Sequence, residues 1–283
     1  MVKIGYLGPE GSFSQLATEI WINKLNLKRD EVDFITSTTI PFLIESIEKG
    51  IVDYSILPLE NSIEGNVNIT IDALIQSSTR IVGEIIVKIN HCLAVKSETV
   101  AVKEKLQVIY SHPQALSQCY HYLTKHFPKA NFIAVESTSK AAQTVAQSKE
   151  TAGAVCSKQA AINNNLFIIA ENIQDHADNK TRFIAVGKKN PISGEKNKTT
   201  LIIALPENKP GGLYKVLKEF ADERINLTKI ESRPTKKELG EYLFFIECVG
   251  HVEDMKLAKV LEKLSSQAAL LKVLGSYPIA EEV

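Results

Sequence analysis

The chain has 283 residues, of which 44% are apolar and 23% are charged, so it can form two or more domains with buried cores. Its 33 basic side chains balance its 33 acidic ones, which excludes an overall field that favours nucleic acid or a membrane surface. The N-terminal residues show no signal-sequence pattern and no apolar run is long enough to span a bilayer, which predicts a cytoplasmic protein. The four cysteines form no CxxC pair, which argues against a zinc site or a disulfide framework.

The first part of the chain alternates strand and helix patterns. Ser12 and Gln15 have the spacing of a capping box that opens a helix. Hydroxyl groups at Thr36–Thr39, Pro41 in the first turn and Gly50 at the end delimit the next helix. The predicted strands are Lys3–Leu7, Val32–Ile35 and Asp53–Leu57.

The same order then recurs, which predicts two similar α/β lobes. Ser111 and Gln114 again have capping-box spacing, and Ser137 and Ser157 are candidate helix caps. The predicted strands of this second lobe are Leu106–Tyr110, Phe132–Val135 and Ala152–Cys156.

Two connections between the lobes predict a hinge with a cleft. Residues 81–95 are rich in strand-forming residues and are suited to crossing from one lobe to the other. Residues 166–169, followed by 178–183, provide the return path. Ligands of open parallel sheets bind at the carboxyl ends of the strands, so the polar loops should face one another there. These loops are Gly8–Ser14, Thr36–Thr39, Glu60–Gly65, Ser111–Gln118 and Ser137–Ser139, with Thr181 and Arg182 beside them.

The remaining residues predict a linker and a smaller domain. Residues 188–198 are charged and rich in helix and strand breakers, which is typical of a linker. Residues 199–283 follow the order strand, helix, strand, strand, helix, strand of a ferredoxin-like βαββαβ domain. The turn at Gly211 and Gly212 presents backbone N–H groups at a helix N-terminus, which either favours a carboxylate ligand or serves only as a tight turn.

The run from Asp178 to Phe183 leads directly into an apolar strand and is a candidate centre for the site. Thr181 could donate a hydrogen bond, and Arg182 could hold a carboxylate through its planar set of donors. The alternative is that Thr181 only starts a strand and Arg182 is an exposed charge.

Uncharged donors dominate the other candidate positions. Ser111, Gln114 and Gln118 share a helix face, although Ser111 and Gln114 could simply cap each other. Glu60, Asn61 and Ser62 follow a strand end. His91 and His112 are discounted as general bases, because neither has a nucleophile next to it in the sequence. The set suits a small anion rich in oxygen and requires no metal and no cofactor.

Six motifs together resemble the prephenate dehydratase family over essentially the whole chain. They are Gly8–Ser14, Pro58–Gly65, Ser111–Cys119 and Asn179–Phe183, and, in the C-terminal domain, Gly211–Tyr214 and Ile230–Pro234, which resemble the family's ACT regulatory domain. Two residues depart from the family pattern: Ser12 replaces a threonine and Gly212 replaces an alanine. The resemblance implies a two-lobed catalytic domain of the type II periplasmic-binding-protein-like kind over residues 1–187, with lobes at about 1–85 with 170–187 and at 86–169.

The resemblance also implies functional residues. Thr181 corresponds to the family's essential threonine, with Ser111, Asn61, Gln118 and Glu60 as further catalytic residues. Substrate-binding residues would include Arg182, Ser62, Ser12 and Phe183. The implied sites for L-phenylalanine are Gly211, Gly212, Leu213 and Tyr214 in the turn and Glu231, Ser232, Arg233 and Pro234 on the strand.

The implied activity is conversion of prephenate to phenylpyruvate, carbon dioxide and water. L-phenylalanine would inhibit by binding between paired ACT domains, which implies a homodimer or a homotetramer. Two alternatives remain at this point: dehydration of arogenate, which carries an amino group, and small-molecule binding without catalysis.

Overall fold

A computed structural model describes residues 1–97, 106–188, 194–234 and 242–280. Three β-sheets organise these residues into two α/β lobes and one C-terminal domain. The sheet topology confirms the two predicted lobes and the predicted βαββαβ order.

The first lobe has a mixed sheet in the order β2-β1-β3-β11-β5, with β4 paired to β3. Strands β1 and β2 and strands β1 and β3 are parallel, whereas β11 is antiparallel to both of its neighbours. The strands are β1 (Val2–Leu7), β2 (Val32–Ser37), β3 (Tyr54–Asn61), β4 (Gly65–Asn66), β5 (Arg80–Lys88) and β11 (Lys180–Gly187). The helices are α1 (Phe13–Lys24), α2 (Ile40–Glu48) and α3 (Asn68–Gln76), with a 3-10 turn at Arg29–Glu31.

The second lobe has a sheet in the order β10-β6-β9-β7-β8. Its strands are β6 (Cys92–Val95), β7 (Val108–Ser111), β8 (Asn131–Ala134), β9 (Ala152–Cys156) and β10 (Phe167–Glu171). Its helices are α4 (Pro113–Gln118), α5 (Tyr120–His126), α6 (Thr138–Gln147) and α7 (Lys158–Asn163).

The C-terminal domain is a four-stranded antiparallel sheet in the order β13-β14-β12-β15, which is the ferredoxin-like arrangement. Its strands are β12 (Asn197–Ala204), β13 (Leu227–Pro234), β14 (Tyr242–Val249) and β15 (Leu270–Pro278), and its helices are α8 (Gly212–Asp222) and α9 (Met255–Gln267). The predicted linker at 188–198 lies partly on 189–193, outside the described residues, and its last two residues belong to β12.

Hydroxyl caps start several helices where the sequence predicts them. The Oγ atoms of Ser137 and Ser157 accept backbone N–H groups of α6 and α7. Ser12 likewise accepts the N–H of Gln15, but the Gln15 side chain accepts from the N–H of Gly11 at 2.6 Å and not from Ser12. The predicted capping box is therefore only half formed there.

The predicted box of Ser111 and Gln114 is wrong. The cap of α4 is His112, whose ring nitrogen Nδ1 accepts the N–H of Gln114 at 3.3 Å. Ser111 is the last residue of β7, and its hydroxyl donates to the carbonyl oxygen of Val155 at 2.6 Å on the neighbouring strand. The sheet therefore uses a hydroxyl that the sequence pattern assigned to the helix.

The lobes are joined by residues 89–91 and by residues 172–179, so the first crossing comes a few residues later than the predicted boundary at 86. The two crossing segments bond to each other. The N–H of Ile173 donates to the carbonyl oxygen of His91 at 3.0 Å, and the N–H of His91 donates to the side-chain oxygen of Gln174 at 2.9 Å. The two crossing segments are therefore hydrogen-bonded to each other where they connect the lobes.

The C-terminal domain packs directly on the first lobe. Residues of both units, including Leu57, Ile184, Ile202 and Phe245, form one hydrophobic core. At Gly275 the backbones approach so closely that a Cβ atom would lie 2.2 Å from the carbonyl oxygen of Ile81. Glycine is therefore required at this contact. In the described part of the chain, no helix is long and apolar enough to cross a membrane.

Candidate functional site

A cleft of about 1030 Å³ lies between the two lobes, where the polar loops meet. The turn at Gly8 and Pro9, the caps of α2 and α6 (Thr39 and Ser137) and the start of α4 line it. Thr181 and Asn61 line the same cleft. The topology therefore brings together segments that lie far apart in the sequence, as the parallel-sheet argument predicts.

Strand pairing places Thr181 beside Asn61. Strands β11 and β3 are antiparallel, with Thr181 opposite Asn61 in the register. The side-chain nitrogen Nδ2 of Asn61 donates to the Thr181 Oγ1 at 2.9 Å, and both residues are 8% exposed. A hydroxyl is thus held at the cleft wall on a rigid strand.

Asn61 is itself held by backbone groups. Its Oδ1 accepts the N–H groups of Ile63 and Glu64, each at 3.0 Å, in the turn that follows β3. Its Nδ2 also donates to the Oδ1 of Asn179 at 2.8 Å. Local turn geometry therefore fixes the Asn61 amide before any ligand is present.

Gln118 and His91 extend this network into the second lobe. The Oε1 of Gln118, the last residue of α4, accepts from Nδ2 of Asn179 at 3.0 Å and lies 3.2 Å from Nε2 of His91. Burial lowers the pKa of His91, and its bond to Gln118 offsets this only in part, so the ring is neutral at neutral pH. His91 also packs edge-on against the ring of Phe13.

Arg182 does not reach the cleft. Alternation along β11 sends its side chain to the opposite face of the sheet, where its guanidinium lies 2.9 Å from Glu247, 3.2 Å from Glu84 and 2.9 Å from Glu60. Burial lowers the pKa of Arg182, but these carboxylates outweigh it and raise the pKa above its ordinary value. The arginine therefore joins the lobe to the C-terminal domain and is not free to hold a substrate carboxylate.

Glu60 lies on that same face. It pairs with Arg182 and with Lys229 of β13, at 2.8 Å from the Lys229 Nζ. Burial raises the pKa of Glu60, but the opposing effects of Lys229 and Arg182 are larger together. The pKa of Glu60 therefore lies below its ordinary value. A carboxylate held ionised between two cations is poorly suited to act as a general acid.

Four other predicted residues have structural roles in this chain. Ser111 is fully buried and bonded to Val155, and Phe183 packs in the core of the first lobe. Ser12 caps α1 and also donates to the carbonyl oxygen of Leu7. Ser62 exchanges hydrogen bonds with the return segment, accepting the N–H of Lys180 at 2.9 Å. None of these four is among the residues that line the cleft in the described part of the chain.

The predicted effector residues separate into two groups. Gly211, with φ of 82°, starts α8 together with Gly212, Leu213 and Tyr214, and Tyr214 is exposed. Glu231 and Arg233 instead bond to the first lobe, because Arg233 pairs with Asp72 at 2.6 Å and Glu231 accepts from Asn66. Ser232 and Pro234 lie on exposed positions of β13.

Two site residues were not selected from the sequence. Asn179 belongs to the run that was chosen as the centre, but only its contacts with Asn61 and Gln118 reveal its importance. His91 was discounted because it has no neighbour in sequence that could act as a nucleophile. A polar residue inside an otherwise buried apolar stretch was the signal that could have indicated it. Among the described residues, no group of acidic, cysteine or histidine side chains could hold a metal ion.

Comparison with known proteins gives consistent results along the chain. The prephenate dehydratase family model matches residues 4–191, and the ACT domain model matches residues 199–266. The prephenate dehydratase of Methanocaldococcus jannaschii is 41% identical over 278 residues, which cover 97% of each chain.

Solved structures agree with the sequence comparisons. A prephenate dehydratase from Arthrobacter aurescens in complex with L-Phe superposes with a TM-score of 0.88 at 31% identity, covering 98% of this chain and 90% of that one. A protein described as GqqA, a novel type of quorum-quenching acylase, gives a TM-score of 0.85 at 27% identity and covers 98% of both chains. Since the family model covers most of the chain, the chain belongs to the prephenate dehydratase family and carries a C-terminal ACT domain.

Proposed function

We propose that this chain converts prephenate to phenylpyruvate, carbon dioxide and water, with Thr181 donating a hydrogen bond to the departing ring hydroxyl. The observation that carries the proposal is the Thr181 hydroxyl at the cleft wall, 2.9 Å from the Asn61 amide. Because Asn61 donates to Thr181, the hydroxyl hydrogen of Thr181 is available for another acceptor.

The reaction needs little from the protein beyond a fixed position of the substrate and stabilisation of the developing charge. Loss of one carboxylate as carbon dioxide and loss of hydroxide, which becomes water by taking up a proton from solvent, together create an aromatic ring, so the driving force lies in the substrate. A threonine hydroxyl is a poor acid near neutral pH, and it therefore stabilises the developing negative charge on the departing oxygen without transferring a complete proton. Gln118 adds uncharged donors across the cleft.

Positive ends of helices, not Arg182, support binding of the two substrate carboxylates. The N-termini of α2 and α6, at Thr39 and Ser137, line the cleft, and both helices have at least nine residues. The dipoles of these helices favour anions at their N-termini. Lys140 lines the same cleft and adds a positive charge near its rim.

The substrate assay tests this proposal against its alternatives. We expect turnover of prephenate to exceed turnover of arogenate, because the ammonium group of arogenate would face the same helix N-termini and Lys140. Initial rates of both compounds, measured at equal concentrations by formation of product, decide the question. Faster turnover of arogenate would assign the chain to arogenate dehydration, and tight binding without any turnover would assign it to ligand binding alone.

We also propose that L-phenylalanine inhibits the enzyme by binding to paired ACT domains, at the Gly211–Tyr214 turn and the end of β13. The ACT domain and the L-Phe complex of the Arthrobacter aurescens relative support this proposal. The ion pairs of Arg182 with Glu247 and of Lys229 with Glu60 join that domain to the strands that carry Thr181 and Asn61.

Titration with L-phenylalanine is expected to lower the prephenate rate and to raise the unfolding temperature. A ligand at a hundred times its dissociation constant stabilises the folded state by about 2.7 kcal/mol. Light scattering at each concentration reports whether the chains associate in pairs. D-phenylalanine serves as the control, since a stereospecific site should not respond to it. An unchanged rate and an unchanged unfolding temperature at millimolar L-phenylalanine would contradict the proposed regulation.

A further inference from the structure

A chain of hydrogen bonds connects Thr181 to His91. Backbone N–H groups determine which group is the donor and which is the acceptor at each step of this chain. Ile63 and Glu64 present backbone N–H groups, which can only donate, to one end of the Asn61 amide. That end must be the oxygen Oδ1. The nitrogen Nδ2 of Asn61 therefore faces Thr181 and Asn179, and it donates to both.

The same order of donors and acceptors continues through Asn179 to the second lobe. Since Asn61 donates, Asn179 must offer its Oδ1 to Asn61, and its Nδ2 then points to Gln118. Gln118 in turn must offer its Oε1 to Asn179. His91 meets that same oxygen with Nε2 at 3.2 Å, so Nε2 carries the ring hydrogen.

We propose that Asn179 is a positioning residue that transmits this direction, and that it thereby aims the Thr181 hydroxyl and the Gln118 amide N–H groups at the substrate. Asn179 is 1% exposed and lies on the return segment between the lobes, where its carbonyl oxygen accepts the N–H of Ile89 at 2.8 Å. Its side chain links Asn61 of the first lobe to Gln118 of the second. One amide thus aligns the donors of both lobes.

Two atoms at the end of the network support this role. The Nε2 of Gln118 and the Nδ1 of His91 are buried and have no hydrogen-bond partner among the described residues, and both side chains line the cleft. A buried donor without a partner is costly unless a ligand satisfies it. By the imposed direction, Gln118 offers N–H donors, which suit an oxygen of an anionic substrate, whereas Nδ1 of His91 offers a lone pair.

The protonation of His91 tests the network without any catalytic assay. Two-bond ¹⁵N–¹H correlation spectra of the ¹⁵N-histidine-labelled chain distinguish the tautomers, and the His91→Asn variant identifies the His91 signal among the six histidines. We expect a neutral ring with its hydrogen on Nε2. A neutral ring with its hydrogen on Nδ1 would overturn the assigned direction.

The Asn179→Leu variant tests the positioning role. Leucine is similar in size but lacks the side-chain carbonyl oxygen and the NH2 group of asparagine. We therefore expect kcat for prephenate to fall roughly a hundredfold, which is typical for loss of an aligned donor. The matched control is Asn197→Leu, which removes a buried amide at the start of β12 that is bonded to the Gly194 backbone. Its kcat should stay within about twofold of wild type, as expected for a site outside the cleft.

A double-variant cycle separates positioning from a general loss of structure. This step rests on the proposed role of Thr181. If Asn179 acts through Thr181, the Asn179→Leu and Thr181→Ala changes together should cost at least about tenfold less in kcat than the product of the single losses. Losses that multiply fully would overturn the positioning role. Failure of wild-type protein to turn over prephenate would instead reject the proposed function and leave the tautomer result standing.

Discussion

Thr181→Ala is expected to reduce prephenate turnover about a hundredfold or more, whereas Thr181→Ser is expected to retain much of the activity. Removal of a donor that is aligned with developing charge typically costs at least two orders of magnitude in kcat. Serine keeps the hydroxyl that Asn61 holds at 2.9 Å, and alanine does not. The measurement is kcat for each variant, together with the thermal unfolding temperature of each.

The Thr18→Ala variant is a suitable control for this comparison. Thr18 is a fully buried threonine of α1, and its hydroxyl donates to the carbonyl oxygen of Ser14 at 2.8 Å, away from the cleft. It should lower the stability of the protein without a comparable loss of kcat. If Thr181→Ser and Thr181→Ala had equal activity, the hydroxyl of Thr181 could not have the proposed role.

Glu84→Gln is expected to cause a large loss of stability. Glu84 is 2% exposed on β5, and it accepts hydrogen bonds from Arg182 and Lys198 and from the backbone N–H of Ala280. Glutamine keeps the shape but removes the carboxylate nearest to the buried ammonium of Lys198 and one of the three that surround Arg182. Breaking a buried ion pair in this way typically costs about 3–5 kcal/mol in the free energy of unfolding.

Urea denaturation at neutral pH measures this loss, and Glu45→Gln is the matched control. Glu45 forms an i,i+4 pair with Lys49 in which both side chains are more than half exposed, so its removal should change the midpoint very little. A Glu84→Gln midpoint as close to wild type as that of the control would show that the buried cluster contributes nothing to stability.

The same cluster gives an expected pH dependence. Burial raises the pKa of Glu84, but Lys198, the N–H of Ala280 and Arg182 outweigh it, so the pKa lies below its ordinary value. A carboxylate whose pKa is lower in the folded state contributes stability above its unfolded pKa, and that stability is lost as acid protonates it in the folded state. The acid-induced loss of stability should therefore be smaller in Glu84→Gln than in wild type.

Local patterns in the sequence were sufficient for many of the elements and their order, although α3 and β4 were not predicted. Hydroxyls at Ser137 and Ser157 predicted the starts of two helices because an N-cap depends only on residues within one turn. The repeat of strand and capped helix predicted two lobes, and the order of elements after residue 199 predicted the ferredoxin-like domain. The family motifs indicated Thr181, Asn61 and Gln118, which the fold places in one network.

Side-chain direction and partners depended on the tertiary structure. The sequence could not show that Arg182 faces Glu247, because that carboxylate lies 65 residues later on a different sheet. It assigned Ser111 to a helix cap, whereas a neighbouring strand accepts its hydroxyl. The role of Asn179 likewise depends on groups that lie 118 and 61 residues away.

The sequence alone determined the alternation of strands and capped helices and which family the chain resembles, since both are recorded in short-range patterns of residue type. Only the tertiary structure decided which polar groups share the cleft and in which direction they donate. The reason is physical: a hydrogen bond or an ion pair requires atoms within a few ångströms, and the packing of distant segments sets those distances.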